Sequence, residues 1–370
     1  MSAAGLGGPV ALVGVGLMGG SLGLALRERA GVTDVRGIDP GDGALDEALR
    51  QGAITRACTD LDDAVRGAAV VVVCTPVGDI PHLVRRVLEV ADGDAVVTDV
   101  GSAKSGVLVA LTPDERERFC GGHPVAGDER SGMVGARADL FVDATWFLTP
   151  TAETRPDLLR RVHGMASSVG ATPVAVDAQV HDRLMALVSH LPHVIASALV
   201  RQAASTAPQG RDALRSAGPS FRDLTRVAGA NPRLWADILL SNRDAVLAET
   251  ARHRNELADV ESAISRDDRA WLEAFFAAAA EGRARLVDPG EGPGGEIVRI
   301  TVEVPNRPGV LSEIATALGH AHINIEDLHL IPGRADEAHG TLSLDVAGAD
   351  AARRAAALIE DRGFRVTPGP

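Results

Sequence analysis

A histidine, a serine and a lysine stand close together in the chain. Thr98-Asp99-Val100-Gly101-Ser102-Ala103-Lys104 precedes Gly121-Gly122-His123-Pro124-Val125-Ala126-Gly127-Asp128-Glu129, then Ser131-Gly132. A neutral imidazole can accept a hydroxyl proton near neutral pH. His123 lies between glycines and a proline, so it is expected on a loop, where a rigid sheet often carries its chemistry. The plainer reading is a surface histidine in a turn. A second polar group, Ser189, His190 and His193, surrounds Pro192 in an apolar stretch. At about 100° per residue the three share one sector of a helix. Pro192 interrupts that helix and frees the Val188 carbonyl, so the stretch reads as a site wall. Core histidines capped by backbone carbonyls are the competing reading. Arg226, ending Ser220-Phe221-Arg222-Asp223-Leu224-Thr225-Arg226, could clamp a carboxylate through two hydrogen bonds, or be an ordinary surface arginine. With no H-E-x-x-H pattern and no thiolate pair, no metal is expected.

These groups need elements to hold them. Val10-Ala11-Leu12-Val13 reads as a short strand and Ser21 to Arg27 as a helix, with Gly14-Val15-Gly16-Leu17-Met18-Gly19-Gly20 between them. A G-x-G-x-x-G loop in that setting is a dinucleotide fingerprint. Gly14 permits the turn, Gly16 lets backbone approach a pyrophosphate, Gly19 lets helix and strand pack, and the helix N-terminus favours the anion. Leu17 and Met18 belong to the same cofactor-facing turn. A second strand, Val35 to Ile38, ends in Asp39, twenty residues past Gly19. A carboxylate there binds a ribose 2′-hydroxyl and repels a 2′-phosphate, and Pro40-Gly41-Asp42-Gly43 has no basic residue to hold one. The expected cofactor is NAD. Val70 to Cys74 is a third buried strand, and Thr75-Pro76 after it should cover the cofactor ribose. Ala95-Val96-Val97 leads into the serine and lysine loop. In open α/β sheets ligands bind beyond the carboxyl ends of the strands.

Thr145 to Pro150 reads as the closing strand of this first domain, 8–150. Helical patterns then dominate 151–287, apart from a short strand, Thr172 to Val176. A long helix is expected from Asp177 to Gln202, with further helices over 234–263 and 268–287 broad enough to meet a second subunit. Residues 288–296, Asp-Pro-Gly-Glu-Gly-Pro-Gly-Gly-Glu, are a linker. Over 297–368 the pattern is β-α-β-β-α-β, a small ferredoxin-like unit. The expected fold is thus α/β of Rossmann type, then an all-α substrate and dimerisation domain, then a small α+β domain. The 370 residues carry a net charge of −13, which argues against nucleic acid or an acidic membrane as partner. Three cysteines without a C-x-x-C pair suit a reducing, cytoplasmic setting. The sequence shows no apolar run near the ~20 residues of a membrane span and no signal-peptide core.

The pieces Gly14 to Leu22, Thr98 to Lys104, Gly122 to Gly127, Ser189-His190-Leu191-Pro192-His193 and Phe221 to Arg226 together resemble the prephenate dehydrogenase family, which includes arogenate dehydrogenases. Residues 297–368 resemble an ACT domain through Asn306-Arg307-Pro308-Gly309-Val310-Leu311 and Ile323-Asn324-Ile325. The resemblance implies NAD+-dependent oxidative decarboxylation of prephenate to 4-hydroxyphenylpyruvate in tyrosine biosynthesis. It implies His123 as acceptor of the substrate hydroxyl proton and Ser102 as the group orienting His123 and the nicotinamide. Arg226 would hold a substrate carboxylate; His193, Ser189 and His190 would shape the pocket. Glu129 is expected as a site carboxylate, and Lys104 as a substrate contact or a structural ion pair. Asn306, Gly309 and Asn324 mark the regulatory site, with tyrosine as the effector. Arogenate is the alternative substrate, its ammonium facing Asp128 or Glu129. A non-catalytic NAD and amino-acid sensor is a further reading, though no output module is evident. A β-hydroxyacid dehydrogenase would be expected to use a lysine on the long helix, and residues 177–206 contain none.

Overall fold

The computed structural model describes residues 6–41, 43–127, 130, 132–206, 213–287, 297–305, 307, 310–321, 323, 325, 327–331 and 339–368. The chain divides into two compact units, 1–150 with 161–250 and 151–160 with 251–370.

The first unit is built on an eight-stranded sheet. Its strands are β1 (Val10–Val13), β2 (Val35–Ile38), β3 (Arg56–Ala57), β4 (Val70–Val73), β5 (Val96–Asp99), β6 (Phe119–Pro124), β7 (Thr145–Thr149) and β8 (Thr172–Ala175). They lie in the order β3-β2-β1-β4-β5-β6-β7-β8. The first six run parallel, in the order of a dinucleotide-binding sheet. β7 is antiparallel to β6, and β8 parallel to β7. β1 and β4, Val-Ala-Leu-Val and Val-Val-Val-Val, are buried along their whole length. Parallel strands covered on both faces need such continuous apolar runs. The core on one face joins Ala11, Val71 and Val97 to Ile80, Val84 and Val87 of helix Ile80–Val90. The sheet runs on to 175, past the boundary at 150 expected from the sequence.

Two differences from expectation matter for the site. His123, expected on a loop, lies in β6, opposite Phe147 of β7. Glycine is a poor strand former, yet it is required here. A Cβ on Gly122 would lie 2.5 Å from the Asp99 carbonyl oxygen of β5. The second difference is the expected helix over 234–263, which breaks at Asn242 into Pro232–Ser241 and Arg243–Ser265.

The long helix starts where expected, because the Asp177 side chain accepts hydrogen bonds from the backbone N–H groups of Gln179 and Val180 at 2.8 and 3.1 Å. It runs as α-helix Ala178–Met185, a π turn over Ala186–His190 and α-helix Leu191–Ser205. Pro192 does not break it. The wider turn absorbs the missing N–H, and the Leu191 N–H bonds five residues back to the Ala186 carbonyl. By length and composition this 28-residue helix could cross a membrane, contrary to the sequence expectation. Its inward face carries His181, Asp182 and His190, all buried.

The second unit contains helix Arg269–Val287 and a four-stranded antiparallel sheet of β9 (Ile297–Pro305), β10 (Asp327–Ile331), β11 (His339–Ala347) and β12 (Arg365–Pro368). The order is β10-β11-β9-β12, with helices Val310–His320 and Ala349–Glu360 as the crossovers. This is the expected ferredoxin-like arrangement. β11 alternates buried and half-buried residues along its length, as a sheet with one covered face requires. The predicted linker lies outside the described residues.

Candidate active site

The site grows from the carboxyl ends of β5 and β6. Asp99, the last residue of β5, is fully buried. Its Oδ1 accepts the Gly101 N–H at 2.7 Å and pairs with the Lys104 ammonium. Lys104 is only 1% exposed, and its Nζ also donates to the Gly122 carbonyl at 2.7 Å. The lysine therefore clips the loop after β5 onto the strand that carries His123. Burial pushes the Asp99 carboxyl above its usual range while Lys104 opposes that rise. Of the two expected roles for Lys104, the ion pair is the one its contacts show. Its ammonium is spent on Asp99 and a carbonyl.

His123 sits on β6, next to its end. Its Nδ1 lies 2.9 Å from Nε2 of His181, and the two rings meet edge to face. Nδ1 of His181 lies 2.9 Å from Oδ1 of Asp182. Asp182 also accepts the backbone N–H groups of Lys104 and Ser105, each at 2.8 Å. Burial works to raise the Asp182 carboxyl, but bonds from His181, Ser105 and Lys104 outweigh it and hold the group ionised. His123 is pushed well below the ordinary histidine range, first by burial and then by neighbouring His181, Lys104 and His190. Its imidazole is neutral at pH 7. Nε2 of His123 makes no hydrogen bond to any described residue.

The sequence named His123 but assigned no role to His181 or Asp182. The available signal was an adjacent His-Asp pair inside an apolar helix. Ser102 was expected to orient His123. It stands half-buried on the loop after β5, and the group bonded to His123 is His181.

Farther along the helix the π turn breaks the 100° bookkeeping that put Ser189, His190 and His193 in one sector. His190 turns inward and is 1% exposed. The Asn242 amide donates to its Nδ1 at 3.2 Å and to the Asp182 carbonyl at 2.7 Å. Burial, with help from His181 and His193 and against Asp182, pushes His190 down to about 4. His190 thus packs inward, away from the exposed face of the helix. His193 stacks on Trp235 with centroids 3.5 Å apart and a 22° tilt, its Nδ1–H on the Ser189 carbonyl at 3.0 Å. Trp235, like His181 and Asp182, carried no expected role. Arg226 is exposed, and its charge reaches His193 and, after burial, helps lower its pKa. Glu129 lies outside the described residues, as do Asn306, Gly309 and Asn324.

The cofactor fingerprint holds together locally. Gly14, Gly16 and Gly19 form the turn from β1 into helix Leu17–Glu28, which begins at Gly16 with Leu17 and Met18 in its first turn. No side chain caps that N-terminus and its first turn has no acidic residue, so its N–H groups are available to a pyrophosphate. A Cβ on Gly16 would meet nothing within 4 Å, leaving the backbone open to close approach. Asp39 is fixed by the Val15 N–H on Oδ2 at 2.8 Å and the Gly41 N–H on Oδ1 at 2.7 Å. Thr75 and Pro76 follow β4, and the buried Thr75 hydroxyl has no partner among the described residues. These residues fit an NAD. Among the described residues no group of His, Cys, Asp and Glu could hold a metal ion.

Comparison with known proteins bears on these features. Residues 22–175 match the prephenate dehydrogenase nucleotide-binding domain, 177–278 the prephenate dehydrogenase dimerization domain, and 298–364 the ACT domain. The chain is 31% identical to prephenate dehydrogenase of Bacillus subtilis over 356 residues, 95% of this chain and 96% of that protein. It is similar to the crystal structure of A. aeolicus prephenate dehydrogenase in complex with hydroxyphenyl propionate and NAD+. There the identity is 29% and the TM-score 0.71, covering 75% of this chain and 98% of that one. Synechocystis arogenate dehydrogenase is similar at 28% identity and TM-score 0.65, over 77% and 100% of the two chains.

Proposed function

The chain belongs to the prephenate dehydrogenase family, and from that premise we propose that it converts prephenate to 4-hydroxyphenylpyruvate by NAD+-dependent oxidative decarboxylation. Bound at the glycine loop and Asp39, NAD+ supplies the acceptor for the hydride that leaves the hydroxyl-bearing ring carbon. The observation that carries this reading is His123. It is a neutral, oriented imidazole at the carboxyl edge of the sheet, with one ring nitrogen engaged and the other without a described partner.

His123 accepts the hydroxyl proton at Nε2. As the O–H bond breaks, its electron pair becomes the carbon–oxygen double bond. Loss of the ring carboxylate as CO2 returns electrons to that oxygen, which recovers the proton as the ring becomes aromatic. Arg226 holds a substrate carboxylate. His193, stacked on Trp235, forms with Ser189 the wall against the substrate side chain. Ser102, beside the buried clip of Lys104, would orient the nicotinamide of a bound NAD+. The enzyme acts as a dimer through 177–278, in the cytoplasm; the free thiols of Cys58, Cys74 and Cys120 fit a reducing compartment.

NADH formation at 340 nm with prephenate and arogenate, each with NAD+ and NADP+, tests the reading. Turnover of prephenate with NAD+ is expected. Exclusive turnover of arogenate would change the substrate, and turnover of neither would overturn the reaction. We propose tyrosine as the effector at the ACT domain, at Asn306, Gly309 and Asn324. A chain ending at residue 289 should keep turnover and lose tyrosine inhibition; inhibition that persists would remove the effector from that domain.

A further inference from the structure

His181 and Asp182 are the buried ionisable pair that the reaction itself does not touch. We infer that they are positioning residues that hold His123 in its Nδ1–H tautomer, so that Nε2 is the nitrogen that takes the substrate proton. This rests on the reaction proposed above.

The hydrogen-bond directions follow from one fixed point. Asp182 is held as a carboxylate by two backbone N–H groups, of Lys104 and Ser105, so it can only accept from His181. Nδ1 of His181, 2.9 Å away, must carry a proton. With a single proton, placed on Nδ1, the other nitrogen of the fully buried His181, Nε2, is the acceptor. Nδ1 of His123, 2.9 Å from it, must be the donor. A neutral His123 that donates from Nδ1 has its lone pair on Nε2. The alternative tautomer would put two lone pairs face to face across 2.9 Å in a buried site.

The same chain acts when His123 gains its proton. The imidazolium keeps its Nδ1–H on His181, which in turn rests on the Asp182 carboxylate. The new charge therefore faces an anion through one neutral ring, and no proton need travel beyond His123. Among the described residues, the other charged or titratable groups facing His123 are Lys104, already paired with Asp99, and His190, bonded to Asn242. Neither offers His123 an acceptor. The unit is held from both sides, because Asn242 donates to the Asp182 carbonyl while the loop after β5 donates to its carboxylate.

The pair are neighbours in sequence, but His123 lies 58 residues away. A histidine tied to an aspartate that organises a loop has an obvious structural use, so the test must read more than activity. In protein labelled with 15N only at histidine, the ring shifts of His123 report which nitrogen carries the proton, without any turnover. A His123→Asn variant assigns the signal. The expected result at pH 8 is a protonated Nδ1 and a bare Nε2 in the wild type, lost in His181→Leu. Steady-state kinetics should show kcat lowered about 10²-fold in His181→Leu with the KM for NAD+ unchanged. His181→Gln, whose side-chain oxygen can still accept from His123, should recover most of that loss. A wild-type His123 protonated at Nε2 would overturn the inference, as would equal loss in the Gln and Leu variants. If the wild type fails to oxidise prephenate while His123 shows the Nδ1–H form, the reaction is wrong and the tautomer assignment stands.

Discussion

At the scale of single residues, two titratable side chains do different kinds of work. His123 must be neutral to act, and burial, with the Lys104 ammonium nearby, secures that. Protonation removes the acceptor, so activity should fall with decreasing pH only below the ordinary histidine range. A pH profile of kcat that drops at 6.5 or above would contradict this. His123→Asn should lower kcat by about 10²–10⁴-fold. NAD+ affinity, followed by tryptophan fluorescence, should stay the same. Lys104 is paired with Asp99 and Gly122, and its loss should be felt more widely. Lys104→Met leaves Asp99 as an uncompensated charge inside the sheet, at a cost of about 3–5 kcal/mol. Denaturant unfolding should show that loss, and adding Asp99→Asn should recover part of it. No recovery would mean that the ion pair is incidental.

At the scale of elements, the site depends on irregularities placed where chemistry needs them. A π turn at 186–190 keeps the helix continuous through Pro192 and rotates His190 inward. The break at Asn242 brings an amide to both His190 and the Asp182 carbonyl. The close approach at Gly19 joins helix Leu17–Glu28 to the cofactor turn. A Cβ there would lie 2.0 Å from the Gly14 carbonyl oxygen, which is backbone and cannot swing aside. Gly19→Ala should therefore weaken NAD+ binding about tenfold or more, roughly 1.4 kcal/mol. Far-ultraviolet dichroism should stay near wild type. Unchanged affinity would show that the turn is not the pyrophosphate site.

For the whole molecule, buried neutral histidines set an acid limit. His190 has a folded-state pKa of about 4 against 6.5 in an ordinary setting. Between these values the unfolded chain binds more protons than the folded one. Stability contributed by His190 is present above pH 6.5, is lost as pH falls from there toward 4, and changes no further below that. His123 adds in the same direction. Thermal melts from pH 8 to pH 4 should show a falling Tm over this window. In His190→Gln, whose amide does not titrate, the slope should be shallower. An identical slope would mean that His190 is not among the groups responsible.

The sequence by itself determined the features whose cause is local. The strand, glycine turn and helix around Gly14, Gly16 and Gly19, the carboxylate of Asp39, the Asp177 cap and the β-α-β-β-α-β pattern of 297–368 are each written within a few tens of residues. Neighbours along the chain impose them through backbone sterics, capping and hydrophobic periodicity. Tertiary structure alone decided the partners. Gly121 and Gly122 read as loop, yet packing of Asp99 and β7 makes that stretch a strand. His181 reaches His123 only because the helix after β8 is laid against the end of β6. Lys104 was equally suited to a substrate or to an aspartate until the sheet buried it beside Asp99. A side chain's type is fixed by sequence, but its protonation, its hydrogen-bond role and its access to a ligand depend on which distant groups surround it. Those are energies of burial and contact that exist only once the chain has folded.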